Sequence, residues 1–209
     1  MARRYDSTRR QAQARATRLR IIEAATDLFV THGYAATSIA AIADAADVAP
    51  QTIYAAFGTK AGLLGAAVDV AMAGDDEPIA IIDRPDQQAV LATDDPAAAA
   101  AGFAAAATGL LARAGRLIHA ADAAPDPDGE LEAMRRTGHR ARRTDMRHLA
   151  DAFAASGLLR DGIDAELAAD ILWTLASPGA YYAFTTTLGW SDARYQRWLA
   201  ASVARALFV

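Results

Sequence analysis

The chain has 209 residues, 53% of them hydrophobic and 22% charged, with a net charge of −4; that balance excludes a wholly disordered chain and leaves ample apolar material for a packed core. Cysteine is absent, which excludes disulfide frameworks and thiolate metal sites and makes a reducing compartment, the cytoplasm, the expected location. Charge is uneven: residues 1–60 hold eight Lys or Arg against five acids, which leaves −7 for residues 61–209.

Taken in order, the N-terminus carries Arg3, Arg4, Arg9, Arg10, Arg15, Arg18 and Arg20 without an apolar signal core. That suits an arm or helix extension whose arginines follow phosphates or enter a minor groove, with a solvated disordered tail as the plainer alternative. Ile21, Ile22, Ala25, Leu28 and Phe29 then recur at helical spacing, and Gly33 is placed to end that helix in the left-handed region. Thr37 is the expected N-cap of a short second helix whose buried face is Ile39, Ile42, Ala43 and Ala46. Asp47, one of the few non-glycine residues that tolerate positive φ, closes it. Val48 is expected to plug the turn, and Pro50 fits the first position of a third helix running to Phe57. Ala49 supplies no side-chain cap to that helix.

Three helices with this spacing form a helix-turn-helix, in which the start of the third helix enters the major groove. Gln51 and Thr52 occupy that start and are the candidate base contacts. Tyr54, Lys60 and Thr37 are candidate phosphate contacts, Lys60 because it opens the next helix after the capping Thr59. The plainer reading is that Thr37 and Thr59 only cap and Tyr54 only packs. Ile53 and Phe57 are core by spacing.

Arg20, Ala24, Ala25, Phe29, Gly33, Tyr34, Thr37, Ile42, Ala43, Ala46, Val48, Thr52, Ile53, Tyr54, Phe57, Lys60, Leu63 and Leu64 together resemble the N-terminal signature of the TetR family of transcriptional regulators. Asp47, Ala49 and Ala56 depart from the residues that family often has there. The resemblance implies an all-α chain with a three-helix DNA-binding domain, residues 1–60, and a larger helical domain, residues 61–209, for effector binding and dimerisation. It also implies a homodimer on a pseudo-palindromic operator, its two readers about 34–36 Å apart, and a repressor released by a small ligand, which the lining candidates below suit best if it is apolar or amphipathic. No cofactor is implied.

Beyond the reader, Lys60 to Met72 is expected to be a connecting helix, followed by loops around an apolar run at Ile79–Ile82 and a small helix. An Ala-rich helix from about Pro96 to Ala121 has Phe103, Leu110, Leu117 and Ile118 on its buried side, and its charges argue against a membrane span. A helix from about Glu130 to Ser156 sets Arg136, Arg140, Arg143 and Arg147 opposite a stripe of Leu131, Met134, Ala141, Leu149 and Ala152. The arginines read as a solvated face or as a second nucleic-acid surface, the latter at odds with the acidic balance. Asp145 falls on the apolar stripe, where it needs a partner such as Arg142 or a polar ligand. Effector-lining candidates are Phe103, Leu110, Met134, Asp145, Phe153 and Trp173, although residues of each kind are more often ordinary core.

At the C-terminus, Pro178 is expected to break an apolar helix, Ser191 to cap the last helix, and Trp190 to staple onto Tyr195. Tyr181, Phe184, Tyr195, Trp198, Leu199 and Val203 are the candidate dimer contacts, unless these faces simply complete the core of one chain. An enzyme finds little support: His32, His119, His139 and His148 make no ligand pair, no metal set is evident, and no Gly-rich phosphate loop occurs. The competing reading is a helical module that binds ligand or protein and uses the helix-turn-helix for interaction only.

Overall fold

The computed structural model describes residues 2–77, 79–126 and 129–208, with side chains from Arg9 onward. Among these residues it is all-helical: α1 (Ala2–His32), α2 (Ile39–Ala45), α3 (Pro50–Phe57), α4 (Lys60–Ala73), a 3₁₀ turn (Ile81–Asp83), α5 (Pro85–Leu91), α6 (Pro96–Ala123), α7 (Glu130–Ala155), α8 (Ala165–Leu175), α9 (Pro178–Tyr182) and α10 (Asp192–Val203), with π-helical turns after α9 and α10. Two compact units result, one made of the chain up to Asp69 with Ala120–Met134, the other of Val70–His119 with Arg135–Val209.

In the first unit the stripe of α1 is buried as its spacing requires, at Ile21, Ile22, Ala25 and Phe29, and Ile42, Ala43, Ile53, Leu63 and Leu64 of the following helices are buried as well. Gly33, at φ 82, ends α1, and its N–H returns to Phe29 O. The cap of α2 corrects the sequence expectation. Ser38, not Thr37, is the N-cap, accepting from Ala41 N at 3.1 Å, while Thr37 is only 3% exposed and its hydroxyl points back to Gly33 O and Leu28 O at 2.8 and 3.1 Å. Adjacent hydroxyl residues have the same local capping preference, and burial of the threonine methyl selects between them. Asp47 alone among the described non-glycine residues has positive φ, at 52, and Pro50 opens α3.

The second unit is built on one core of Phe103, Ala104, Leu111, Leu149, Phe153, Leu172, Tyr195, Leu199, Val203 and Phe208. Helix α6 is, contrary to the sequence expectation, long and apolar enough to cross a membrane by length and composition. Its alanines supply that hydropathy; Phe103, Ala104, Leu111, Ala114 and Leu117 on it are buried within the chain. Along α7 the expected stripe is interrupted, because residues 136–141, Ala141 included, are exposed while Leu131 and Leu149 are buried. Gly138 and Ala141 give that stretch too little apolar area to bury.

The C-terminal helices complete the core of one chain. Tyr195, Leu199 and Val203 have no exposed surface and Tyr181 only 6%, so these four dimer candidates offer nothing to a second copy, whereas Phe184 and Trp198 are half-buried and retain some outer surface. Pro178 starts α9 under a Ser177 cap, and Ser191 caps α10 through Arg194 N. Trp190 does not staple to Tyr195; it packs on Phe184, with ring centroids 4.5 Å apart, and Arg194 lies 4.0 Å over its ring.

Candidate nucleic-acid interface

Helix α3 presents the candidate readers on its outer side. Gln51, Thr52 and Tyr54 are exposed, Tyr54 at 53%, while Ile53 beneath them is 1% exposed. Ala49 is extended at φ −74, ψ 145 and makes no side-chain cap; Pro50 brings no N–H to the first position, and Thr52 N donates to Ala49 O at 2.9 Å. Gln51 and Thr52 at this end carry the donors and acceptors that major-groove edges demand.

Two other candidates turn inward. Thr37 is enclosed and its hydroxyl is engaged with α1, so its side chain does not serve as a phosphate contact. Lys60 Nζ donates to Tyr34 O at 2.9 Å and Thr37 O at 3.0 Å and lies 4.1 Å from the Tyr34 ring centroid. Partial burial lowers its ammonium pKa from the ordinary lysine value, opposed by the carboxylate of Glu130. Arg3 and Arg4 lie outside the residues whose side chains are described. Further along α1, Arg9, Arg10, Arg15 and Arg20 are exposed.

Two features of the reader have no counterpart in the sequence reading. Arg18 places its guanidinium 4.4 Å from the centroid of Phe57 and donates to Ala56 O at 3.4 Å, bracing the far end of α3. Gly62 sits where α3 and α4 meet at 69°, and a Cβ there would lie 2.3 Å from Phe57 O. The Arg18 contact joins residues 38 positions apart and leaves no local signal, whereas at Gly62, five positions from Phe57, the residue type hints at its role.

Phe103 and Phe153 are closed into the second core at 2% and 1% exposure, Leu110 packs against it, and Met134 belongs to the first unit. Trp173 is engaged by Arg142, whose guanidinium is 4.6 Å over its ring and donates to its carbonyl, so Arg142 is turned to Trp173. Burial raises the carboxyl of Asp145, with His148 opposing and Asp83 adding to the rise. A shallow concavity of about 390 Å³ is lined by none of these residues but by Arg140, Arg143, Thr144, Arg147 and His148 of α7. Arg143 pairs there with Asp170 at 3.1 Å and Arg147 with Asp151 at 2.9 Å, both at the surface, as a solvated face does. No cluster of metal-ligating side chains occurs among the described residues.

A short helix anchored by one buried face, with polar residues exposed at its start behind a tight turn, defines a helix-turn-helix DNA reader. Residues 21–67 match the family described as bacterial regulatory proteins, tetR family. Over those residues the chain carries the N-terminal, DNA-reading segment of the TetR family. No curated protein matches the sequence. Its fold is similar to that of NalD, the secondary repressor of the MexAB-OprM multidrug efflux pump in Pseudomonas aeruginosa, at 20% identity and TM-score 0.71 over 93% of this chain and 98% of that chain. It is also similar to FadR from Bacillus subtilis in complex with stearoyl-CoA, at 18% identity and TM-score 0.70 over 89% and 97% of the two chains. MbdR from Azoarcus sp. CIB is likewise similar, at 18% identity and TM-score 0.66 over 92% and 100%.

Proposed function

We propose that the chain acts as a cytoplasmic homodimeric repressor, which holds a pseudo-palindromic operator through Gln51, Thr52 and Tyr54 and releases it when a small apolar or amphipathic molecule binds the helical unit. The observation that carries the reading is the exposure of those three residues on a helix fixed by the buried Ile53. Arg9, Arg10, Arg15 and Arg20 of α1, with Arg3 and Arg4 before them, add the phosphate contacts that set affinity and its salt dependence. Phe184 and Trp198, half-buried within one chain, remain the candidate dimer contacts.

An amphipathic effector is supported by the similarity to a regulator bound to stearoyl-CoA and to a repressor of a multidrug pump. Such a ligand lowers operator affinity only by as much as it prefers the DNA-incompetent dimer. The test is replacement of Gln51 and Thr52 together by Ala. Each good base contact contributes about 1–3 kcal/mol, so the double variant falls to non-specific affinity while its helical content and melting temperature stay at wild-type values. Unchanged operator affinity contradicts the reading.

A further inference from the structure

Helix α3 has little of its own to hold it: eight residues, no side-chain cap, and Ile53 as its fully buried residue. Its placement nevertheless decides whether Gln51 and Thr52 reach base edges, since bidentate contacts tolerate little displacement. Two cations reach the reader from the flanking helices. Arg18 of α1 stacks on Phe57 and donates to Ala56 O, at the C-terminal end of α3. Lys60 of α4 donates to Tyr34 O and Thr37 O, in the segment that leads into α2. Thr37 precedes α2 and Lys60 follows α3, 23 positions later, so one ammonium closes the whole helix-turn-helix upon itself. The Tyr34 ring forms another side of this half-buried site and is itself packed on Phe29, their centroids 5.5 Å apart.

We propose that Lys60 is a positioning residue of the reader, clamping the carbonyls of Tyr34 and Thr37 so that α3 is held for base contact, with Arg18 bracing the other end of α3 at Ala56 and Phe57. Neither cation is a phosphate ligand; both act through the helix they hold. Arginine does not replace Lys60, because a planar guanidinium fork cannot occupy the compact position between two carbonyls and a ring face. The proposal rests on the DNA-reading function and assigns these two residues to specificity within it.

The wild-type chain, Lys60→Met, Lys60→Arg and Arg18→Met are titrated across a salt series on two duplexes: the sequence that wild type selects from a random library, and a scrambled duplex of equal length. Lys60→Met is expected to bind the selected duplex roughly tenfold or more weakly, the equivalent of one lost base contact, to bind the scrambled duplex as before, and to keep the wild-type salt slope. Lys60→Arg stays impaired. Arg18→Met, altered at an exposed side chain, repeats the pattern in a variant that folds. A salt slope reduced by about one, with both duplexes weakened together and recovery in Lys60→Arg, makes Lys60 a phosphate ligand and overturns the proposal. Equal weakening on both duplexes with lost helical content also overturns it, in favour of a general role in folding. Amide hydrogen exchange reads the clamp without DNA: faster exchange confined to residues 34–38 and 51–57 is expected in Lys60→Met, and no change there, or a change spread evenly over the chain, contradicts the clamp whether or not any duplex is bound.

Discussion

The hydroxyl of Tyr181 donates to Asp192 Oδ1 across 2.6 Å, tying α9 to the first turn of α10. Beside it, the rings of Tyr181 and Tyr195 meet edge-on with centroids 5.1 Å apart. Burial and the nearby carboxylate raise the Tyr181 hydroxyl from 10.0 to about 12. The folded chain therefore holds that proton over a range where the unfolded chain has lost it, so this contribution is complete below pH 10.0 and disappears as pH rises towards about 12. Tyr181→Phe is expected to lose about 1.5–3 kcal/mol at neutral pH, the range for a hydrogen bond to a charged acceptor. It should also show a smaller alkaline decline, both read by urea unfolding at several pH values; identical alkaline profiles would place the decline elsewhere.

Asp47 stands at φ 52 in the turn between α2 and α3. A residue with a Cβ but no local hydrogen-bonding group is strained there by about 1–2 kcal/mol, so Asp47→Ala destabilises the first unit by about that amount and Asp47→Gly is neutral or stabilising. Thermal melts of the two variants order them as Gly above Ala; the reverse order contradicts the left-handed turn.

At the corner of α3 and α4, Gly62 leaves room for Phe57 O, which a Cβ would meet at 2.3 Å. Backbone, not a flexible side chain, must move in Gly62→Ala. The variant is expected to lose operator binding more than about tenfold, the equivalent of one base contact, with a lowered melting temperature. Full binding by Gly62→Ala shows that the corner opens at no cost.

Asp145 bears a carboxyl whose pKa burial raises above 3.8. The folded chain binds the proton more tightly than the unfolded chain, so the penalty for the charged form is fully present above the folded pKa and vanishes below 3.8. Asp145→Asn should therefore raise the melting temperature at pH 7, with a gain that shrinks to nothing as pH falls through the carboxylate range. A gain independent of pH assigns the effect to packing.

The reader was legible because its signals are local. Gly33, Asp47, Pro50 and Thr59 each fix a turn or cap through their own backbone preference, and each does in the structure what its residue type requires. Thr37 and Ser38 were not separable, since two neighbouring hydroxyl residues cap equally well until tertiary packing buries one of them. The direction of Lys60 was hidden for a related reason: a lysine after a cap reads as exposed cation, and only the folded chain brings the carbonyls of Tyr34 and Thr37 to it. In the second unit, Tyr195, Leu199 and Val203 form an apolar face whose spacing is the same whether it meets its own core or a partner, and here it meets its own core.

Selection of bound sequences from a random duplex library, with the purified full chain at two salt concentrations, tests the central claim most directly. A TetR-family reader of this geometry is expected to recover a pseudo-palindrome whose half-sites lie on successive major-groove turns, with affinity that falls steeply at the higher salt. Recovery of no sequence preference at low salt, from protein shown to be folded by its helical circular dichroism, contradicts the account.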